Sequence, residues 1–318
     1  MRIDPHVHFR DQEQSYKETI AHGLETAKGQ GIDYVFDMPN TAKPILTRQD
    51  VEKRLSLVPK KEKSRYFLYI GATSNEKQLK QAINLVKNVK QVIGIKMFAG
   101  KSTGSLQILE EEKQQKVYKI LAKNNYKGVL AVHCEKESYM KDIFDPEKPF
   151  THAISRPNIA EIESIKDQIR FAKQADFQGI LHICHVSCKD SVKIIEKART
   201  EINITCGITP HHLNWDDTKL KDSHGLLYKM NPPLRSKADV KALQKFLKQG
   251  KIDWIETDHA PHTVGEKLHG PYPSGYPSLF IYKKCVEELL PSLGLTKKQI
   301  QDLTFNNIAK AFGIIGKI

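Results

Sequence analysis

The 318-residue chain has no run of about 18 consecutive apolar residues, which predicts no membrane-spanning helix. Its first apolar run starts at Ile3 with strand-like alternation, so no secretory leader is expected. The five cysteines (Cys134, Cys184, Cys188, Cys206 and Cys285) form no C-x-x-C pair. An odd count fits reduced thiols in a cytoplasmic protein better than a disulfide framework. Cys184 and Cys188 have no second pair to complete a structural zinc site. No Gly/Ser linker or low-complexity tract divides the sequence, which predicts one domain over 1–318. Charge is the abundant feature: 50 Lys and Arg against 37 Asp and Glu give a net +13. No aromatic-interleaved basic strand or helix-turn-helix pattern accompanies it, and the lysines scatter over helical stretches such as 77–90 and 237–251. They read as solvated helix faces that draw small anionic substrates, with no nucleic-acid or membrane partner.

What the chain does have is repetition. Eight short apolar runs occur at 3–9, 34–38, 66–71, 92–98, 128–133, 180–186, 204–208 and 254–257. Helical spacing follows at 16–30, 48–58, 76–87, 110–124, 158–175, 189–200, 237–248 and 282–289, and a last helix is predicted over 297–312. Thr47, Ser236 and Thr296 stand where N-caps belong. Alternating strands and helices argue for a parallel sheet with βαβ crossovers, and eight such units for closure into a (β/α)8 barrel.

Chemistry in such barrels gathers at the C-terminal strand ends, and polar residues cluster there. In 4–10, Asp-Pro-His-Val-His-Phe-Arg, alternation puts His6, His8 and Arg10 on one face and Val7 and Phe9 on the other. Asn40 follows the second run, Lys96 sits inside the fourth, His133 ends the fifth, and Asp258 and His262 follow the eighth. The sixth contains both His182 and His185; strict alternation allows only one inside, and His185 is nearer the strand's C-terminal end. Imidazole and carboxylate suit Zn2+ or a similar divalent ion. A lysine buried among Ile95, Met97 and Phe98 can act as a neutral amine that CO2 carbamylates, giving an anion able to bridge two metals; it could equally pair with Asp258 or snorkel outward. Asp258 is placed to move a proton between the attacking hydroxide and a leaving nitrogen. Arg10, Asn40 and His262 are donors of the kind that grip a carboxylate, although Asn40 also fits a turn and His262 a loop cap. Residues 207–213 and 263–278 read as coverings of the site.

Across 4–313 these segments resemble the amidohydrolase superfamily, and within it the dihydroorotases. The resemblance is carried by Asp4-Pro5-His6-Val7-His8-Phe9-Arg10, Met38-Pro39-Asn40-Thr41, Gly94-Ile95-Lys96-Met97-Phe98, Val132-His133-Cys134-Glu135, His182-Ile183-Cys184-His185-Val186-Ser187, Pro210-His211-His212-Leu213, Asn231-Pro232-Pro233-Leu234-Arg235 and Asp258-His259-Ala260-Pro261-His262. It implies a metal-dependent (β/α)8 TIM barrel lacking the accessory β-sandwich many relatives carry. It also implies reversible cyclisation of N-carbamoyl-L-aspartate to L-dihydroorotate in pyrimidine biosynthesis. His6, His8, His133, His185 and Asp258 then become metal ligands, with two Zn2+ bridged by carboxylated Lys96. Arg10, Asn40 and His262 grip the substrate carboxylate, and Asn231 lies near the ring. The family pattern also selects His185. Alternatives are another cyclic amidohydrolase, a hydantoinase or allantoinase, and an inactive homologue that scaffolds aspartate transcarbamoylase; a homo-oligomer or a complex with that enzyme is the expected assembly. Two segments depart from the family. Arg10-Asp11-Gln12-Glu13 replaces Arg-x-Pro-Gly, and Phe280 stands where an acid is usual in the segment from Gly275.

Overall fold

The computed structural model describes residues 1–102 and 104–314, so residues 315–318 of the expected domain lie outside it. Eight strands pair in parallel and in chain order: β1 (Ile3–Val7), β2 (Tyr34–Asp37), β3 (Tyr66–Gly71), β4 (Val92–Ala99), β5 (Val129–Cys134), β6 (Ile180–Ile183), β7 (Ile204–Ile208) and β8 (Trp254–Ile255). The first and last strands then meet. Asp258 N donates to His6 O (2.9 Å) and His8 N to His259 O (2.7 Å). Asp4 reinforces the seam, accepting from Thr257 N at 3.0 Å and Thr257 Oγ1 at 2.5 Å. The sheet is a (β/α)8 barrel, as the eightfold repetition predicts.

The helices are α1 (Ile20–Gly29), α2 (Arg48–Ser56), α3 (Glu76–Asn88), α4 (Glu111–Lys123), α5 (Thr151–Ser155), α6 (Asn158–Gln174), α7 (Lys189–Ala198), α8 (Pro210–Asn214), α9 (Lys237–Lys248), α10 (Val264–His269), α11 (Leu279–Lys284), α12 (Leu290–Ser292), α13 (Lys297–Gln301) and α14 (Asn307–Phe312). Thr47, Ser236 and Thr296 cap α2, α9 and α13, each hydroxyl accepting from the amide three residues on. The one-face spacing of Leu79, Ala82 and Leu85 buries α3 against the barrel. None of the helices among the described residues is long and apolar enough to cross a membrane.

Three expectations need correction. Helix 16–30 starts only at Ile20, because Thr19 caps it and the preceding chain makes a 3-10 turn at Gln12–Gln14. The single helix expected over 297–312 is interrupted by a π-helical turn at Asp302–Asn306, as is the chain between α11 and α12 at Cys285–Leu289. Residues 207–213 form no loose covering: they complete β7 and enter α8, with His211, His212 and Leu213 buried.

Two apolar layers result. The larger lies between strands and helices, and the smaller fills the barrel's lower end with Ile3, Phe36, Tyr69, Ile93, Val129 and Trp254. Helix α14 plugs that end. Phe312 meets the rings of Phe36 and Tyr69 edge-on, with centroids 5.0 and 6.0 Å away, and lies 6.0 Å from Trp254.

Candidate active site

Above the aromatic layer the inward positions turn polar. Register sets their depth: Lys96 pairs with Ala131 and Ala131 with His182, so Lys96 and His182 share one level, and His133 lies two residues higher on β5. At this level a buried carboxylate, Glu256, joins β8 to β6 and β1. It accepts from Trp254 Nε1 (2.9 Å) and His185 N (2.5 Å), contacts His182 Nε2 (3.0 Å), and lies 3.6 Å from His6 Nδ1. A Cβ on residue 207 would sit 2.4 Å from this carboxyl, so β7 can pass only as Gly207.

His182 therefore faces inward, stacked on Trp254 with centroids 4.2 Å apart, and so does His185. The expectation that only one of them could do so fails because β6 ends at Ile183. His185 has a left-handed backbone (φ 39°), which breaks the alternation. Asp258, likewise just past its strand, has φ 51°. Non-glycine residues held in this region cost about 1–3 kcal/mol each and gather at functional sites.

The six expected ligands come together. His6 Nε2 lies 3.2 Å from His8 Nε2 and 3.3 Å from Asp258 Oδ1, and His8 Nε2 lies 2.9 Å from the same oxygen. His133 Nδ1 is 3.2 Å from His185 Nε2, and the His6 and His185 rings are 5.2 Å apart. Ligand atoms of His6, His185 and Asp258 all fall within 4.8 Å of one another. Lys96, fully enclosed, pairs with no carboxylate; its Nζ is 3.0 Å from Cys184 Sγ and 4.9 Å from the Phe98 ring centroid. It neither pairs with Asp258 nor snorkels out.

A divalent cation fits this set on its own chemistry. Nitrogens on one side of the imidazoles crowd together, while acceptors stand at the other: Glu256 near His6, Asn40 Oδ1 taking His8 Nδ1–H at 2.7 Å, and Glu135 Oε2 3.0 Å from His133 Nε2. Carboxylate or amide partners of this kind fix the tautomer and aim the opposite nitrogen. His185 Nδ1 is buried without a hydrogen-bond partner. Burial holds His8 in the neutral, ligating form, down at about 4, and pushes His185 well below its ordinary value with help from neighbouring His133. For Asp258 burial acts upward, but the His8 hydrogen bond and the charges of His6 and His8 prevail and keep it ionised.

The histidines and Asp258 floor a cavity also lined by Arg10, Asn40 and Asn231. Arg10 is aimed from behind: Asp37, buried at the end of β2, holds Arg54 Nη2 at 2.6 Å, and Arg54 donates to the carbonyls of Phe9 (2.8 Å) and Arg10 (3.0 Å). Arg10 Nε in turn donates to Pro261 O at 3.2 Å. His262 lies beside it, Nε2 3.4 Å from an Arg10 terminal nitrogen. Asn231 Oδ1 is buried without a partner and faces the cavity. Its segment is pinned by His152 Nε2 on Met230 O (2.9 Å) and His212 Nε2 on Pro232 O (3.2 Å).

Sequence reasoning missed Glu256, Cys184, Glu135 and the Asp37–Arg54 pair. An acid inside the eighth apolar run, and another two residues after His133, were the available signals.

Comparison with known proteins follows the geometry. The profile of the amidohydrolase family matches residues 2–318. A dihydroorotase of Methanosarcina mazei is 33% identical over 98% of this chain and 69% of its own length. One of Pyrococcus horikoshii is 35% identical over 87% of this chain and 57% of its own. Among solved structures, a dihydropyrimidinase from Brevibacillus agri superposes with TM-score 0.83 at 23% identity, covering 99% of this chain and 71% of that one. A dihydroorotase from Campylobacter jejuni gives 0.72 at 19% identity, covering 98% and 83%. Identities this low speak to fold alone.

Proposed function

The chain belongs to the amidohydrolase family, and from that premise we propose that it catalyses the reversible, metal-dependent cyclisation of N-carbamoyl-L-aspartate to L-dihydroorotate. The carrying observation is that Arg10 and Asn40 line one cavity with the histidine–aspartate cage, with His262 directly beside the Arg10 guanidinium. A planar guanidinium with an amide and an imidazole suits a ring carboxylate. Hydantoin and allantoin carry no such group, so the same donors argue against those substrates. The filled ligand set argues against an inactive scaffold.

His6, His8, His133, His185 and Asp258 are the candidate ligands, and Lys96, between the cage and Cys184, is the candidate bridge once carboxylated. Two Zn2+ ions suit this donor set. A bound divalent metal supplies a hydroxide at neutral pH and polarises the scissile carbonyl. The protein's own groups do the rest. Arg10 and His262 fix the carboxylate, Asn231 Oδ1 receives a ring N–H, and Asp258 takes the proton of the attacking hydroxide and returns it to the departing ring nitrogen. In the cyclising direction Asp258 accepts the proton of the ureido nitrogen as it closes on the side-chain carboxyl and passes it to the departing oxygen, which leaves as hydroxide and takes a proton from solvent to become water.

Five free, buried cysteines support a reducing, cytoplasmic location. Exposed Tyr139, Ile143, Ile154 and Ile159, all between β5 and the first turn of α6, support a homo-oligomer or a complex with aspartate transcarbamoylase. The deciding assay follows L-dihydroorotate, hydantoin and allantoin on one metal-quantified sample, with the mass of the Lys96 peptide. Dihydroorotate is the preferred substrate; faster turnover of hydantoin or allantoin defeats the proposal.

A further inference from the structure

We propose that Lys17, on the loop between β1 and α1, sets the tautomer of His262 and thereby keeps Arg10 and His262 from satisfying each other, leaving both to a carboxylate. The inference rests on the reading that the substrate carboxylate sits at Arg10, and it adds a positioning residue that decides specificity.

Lys17 Nζ lies 3.2 Å from His262 Nδ1 and 2.9 Å from Glu266 Oε1. An ammonium only donates, so Nδ1 carries the lone pair and the single imidazole proton sits on Nε2. Nε2–H then faces the Arg10 guanidinium nitrogen at 3.4 Å, and a guanidinium also only donates. No hydrogen bond can join two donors. Both side chains are buried, Arg10 at 4% exposure, and although Arg10 Nε has the Pro261 carbonyl, this facing pair of donors is left for an anion with two oxygens to accept from.

The alternative state is close at hand. Glu266 Oε2 stands 3.9 Å from His262 Nδ1 and is the nearest carboxylate to it. Glu266 cannot drift away, because its oxygens also accept from Tyr16 Oη at 2.8 Å and from Thr263 N at 3.1 Å, closing the capping box of α10. Without the Lys17 ammonium, the proton is drawn to Nδ1 and towards Glu266. Nε2 then offers its lone pair to Arg10, the two side chains bond to each other, and the receptor closes on itself. The ring has little room for another solution: a Cβ at Gly275 (φ 151°) would lie 2.9 Å from His262 Cδ2 and 2.5 Å from Ala260 O. Tyr16 and Lys17 thus give the atypical first loop a purpose, tying it to α10 through one carboxylate.

The test reads the tautomer directly. In metal-loaded enzyme labelled with 15N-histidine, long-range 15N–1H correlation reports which nitrogen of His262 is protonated, with His262→Gln identifying the signal. Native enzyme should show Nε2–H. Lys17→Met should move the proton to Nδ1 and raise KM for L-dihydroorotate about tenfold, the loss falling on KM more than kcat, while Lys17→Arg, still a donor, should restore most of both. Nδ1–H in the native enzyme overturns the inference without any variant. So does a Lys17→Met enzyme with native KM or an unmoved tautomer. If native enzyme fails to turn over dihydroorotate, the substrate reading falls instead, and the tautomer measurement still judges Lys17.

Discussion

The two ends of the barrel are built on opposite rules. At the lower end Phe312 meets Phe36 and Tyr69 edge to face and lies tilted against Trp254, in an apolar layer that any well-packed protein would favour. At the upper end imidazole nitrogens lie 3.2 Å apart, Asn231 Oδ1 and His185 Nδ1 lack partners, and two residues take left-handed backbones. Stability is made below and spent above. Trp254 and Glu256 join the halves, one side chain in each layer and a 2.9 Å hydrogen bond between them. A site can hold crowded donors only where the surrounding frame denies them any escape.

That division can be broken from either side. Removing metal with a chelator should abolish turnover while far-UV circular dichroism stays native, because the lower layer carries the fold; loss of secondary structure would contradict the split. Asp258→Asn should retain metal and lose about 10³-fold in kcat, the scale of a lost proton shuttle, as read by metal analysis and steady-state kinetics together. Phe312→Ala should do the reverse, lowering stability by about 3 kcal/mol in chemical denaturation while kcat at 25 °C changes less than about twofold. Arg10→Lys should raise KM about tenfold, since a point charge replaces a planar fork; an unchanged KM removes Arg10 from the carboxylate site.

A pH-dependent effect concerns His152, which donates to Met230 O and is pushed down to about 3 by burial and then by the charges of Lys229 and Arg156. The native state holds this imidazole neutral while the unfolded chain protonates it below about 6.5, so the unfolded state binds more protons and stability falls as pH falls through that window. Relative to His152→Gln, the protein should lose about 2 kcal/mol more between pH 6.5 and 4.5. Parallel denaturation curves for the two proteins would remove His152 from that role.

Much of this was legible in the sequence. Strand and helix periodicity gave all eight barrel units, since each strand needs an apolar run and each helix one buried stripe. Residues 66–71, 204–208 and 237–248 match the observed β3, β7 and α9. Of the expected ligands, His6, Lys96 and His133 lie within β1, β4 and β5, where strand periodicity could place them. What was not readable depends on places where periodicity stops. His185 and Asp258 lie beyond their strands in left-handed backbone, so alternation says nothing of them and misjudges His182. Glu256 occupies a position that looks apolar by its neighbours, and only the packing of β6, β7 and β8 around it shows its use. Lys17 and Glu266 are 249 residues apart in number and meet only in space.

The seam between β1 and β8 has a consequence for how the protein is made. His6 and Asp258, neighbours at 3.3 Å, are 252 residues apart in the sequence, so one is synthesised long before the other. A nascent polypeptide can form single βαβ units early, but no partial product presents the full cage. Capture of the cation therefore belongs to the finished ring, and synthesis itself delays the appearance of a reactive centre.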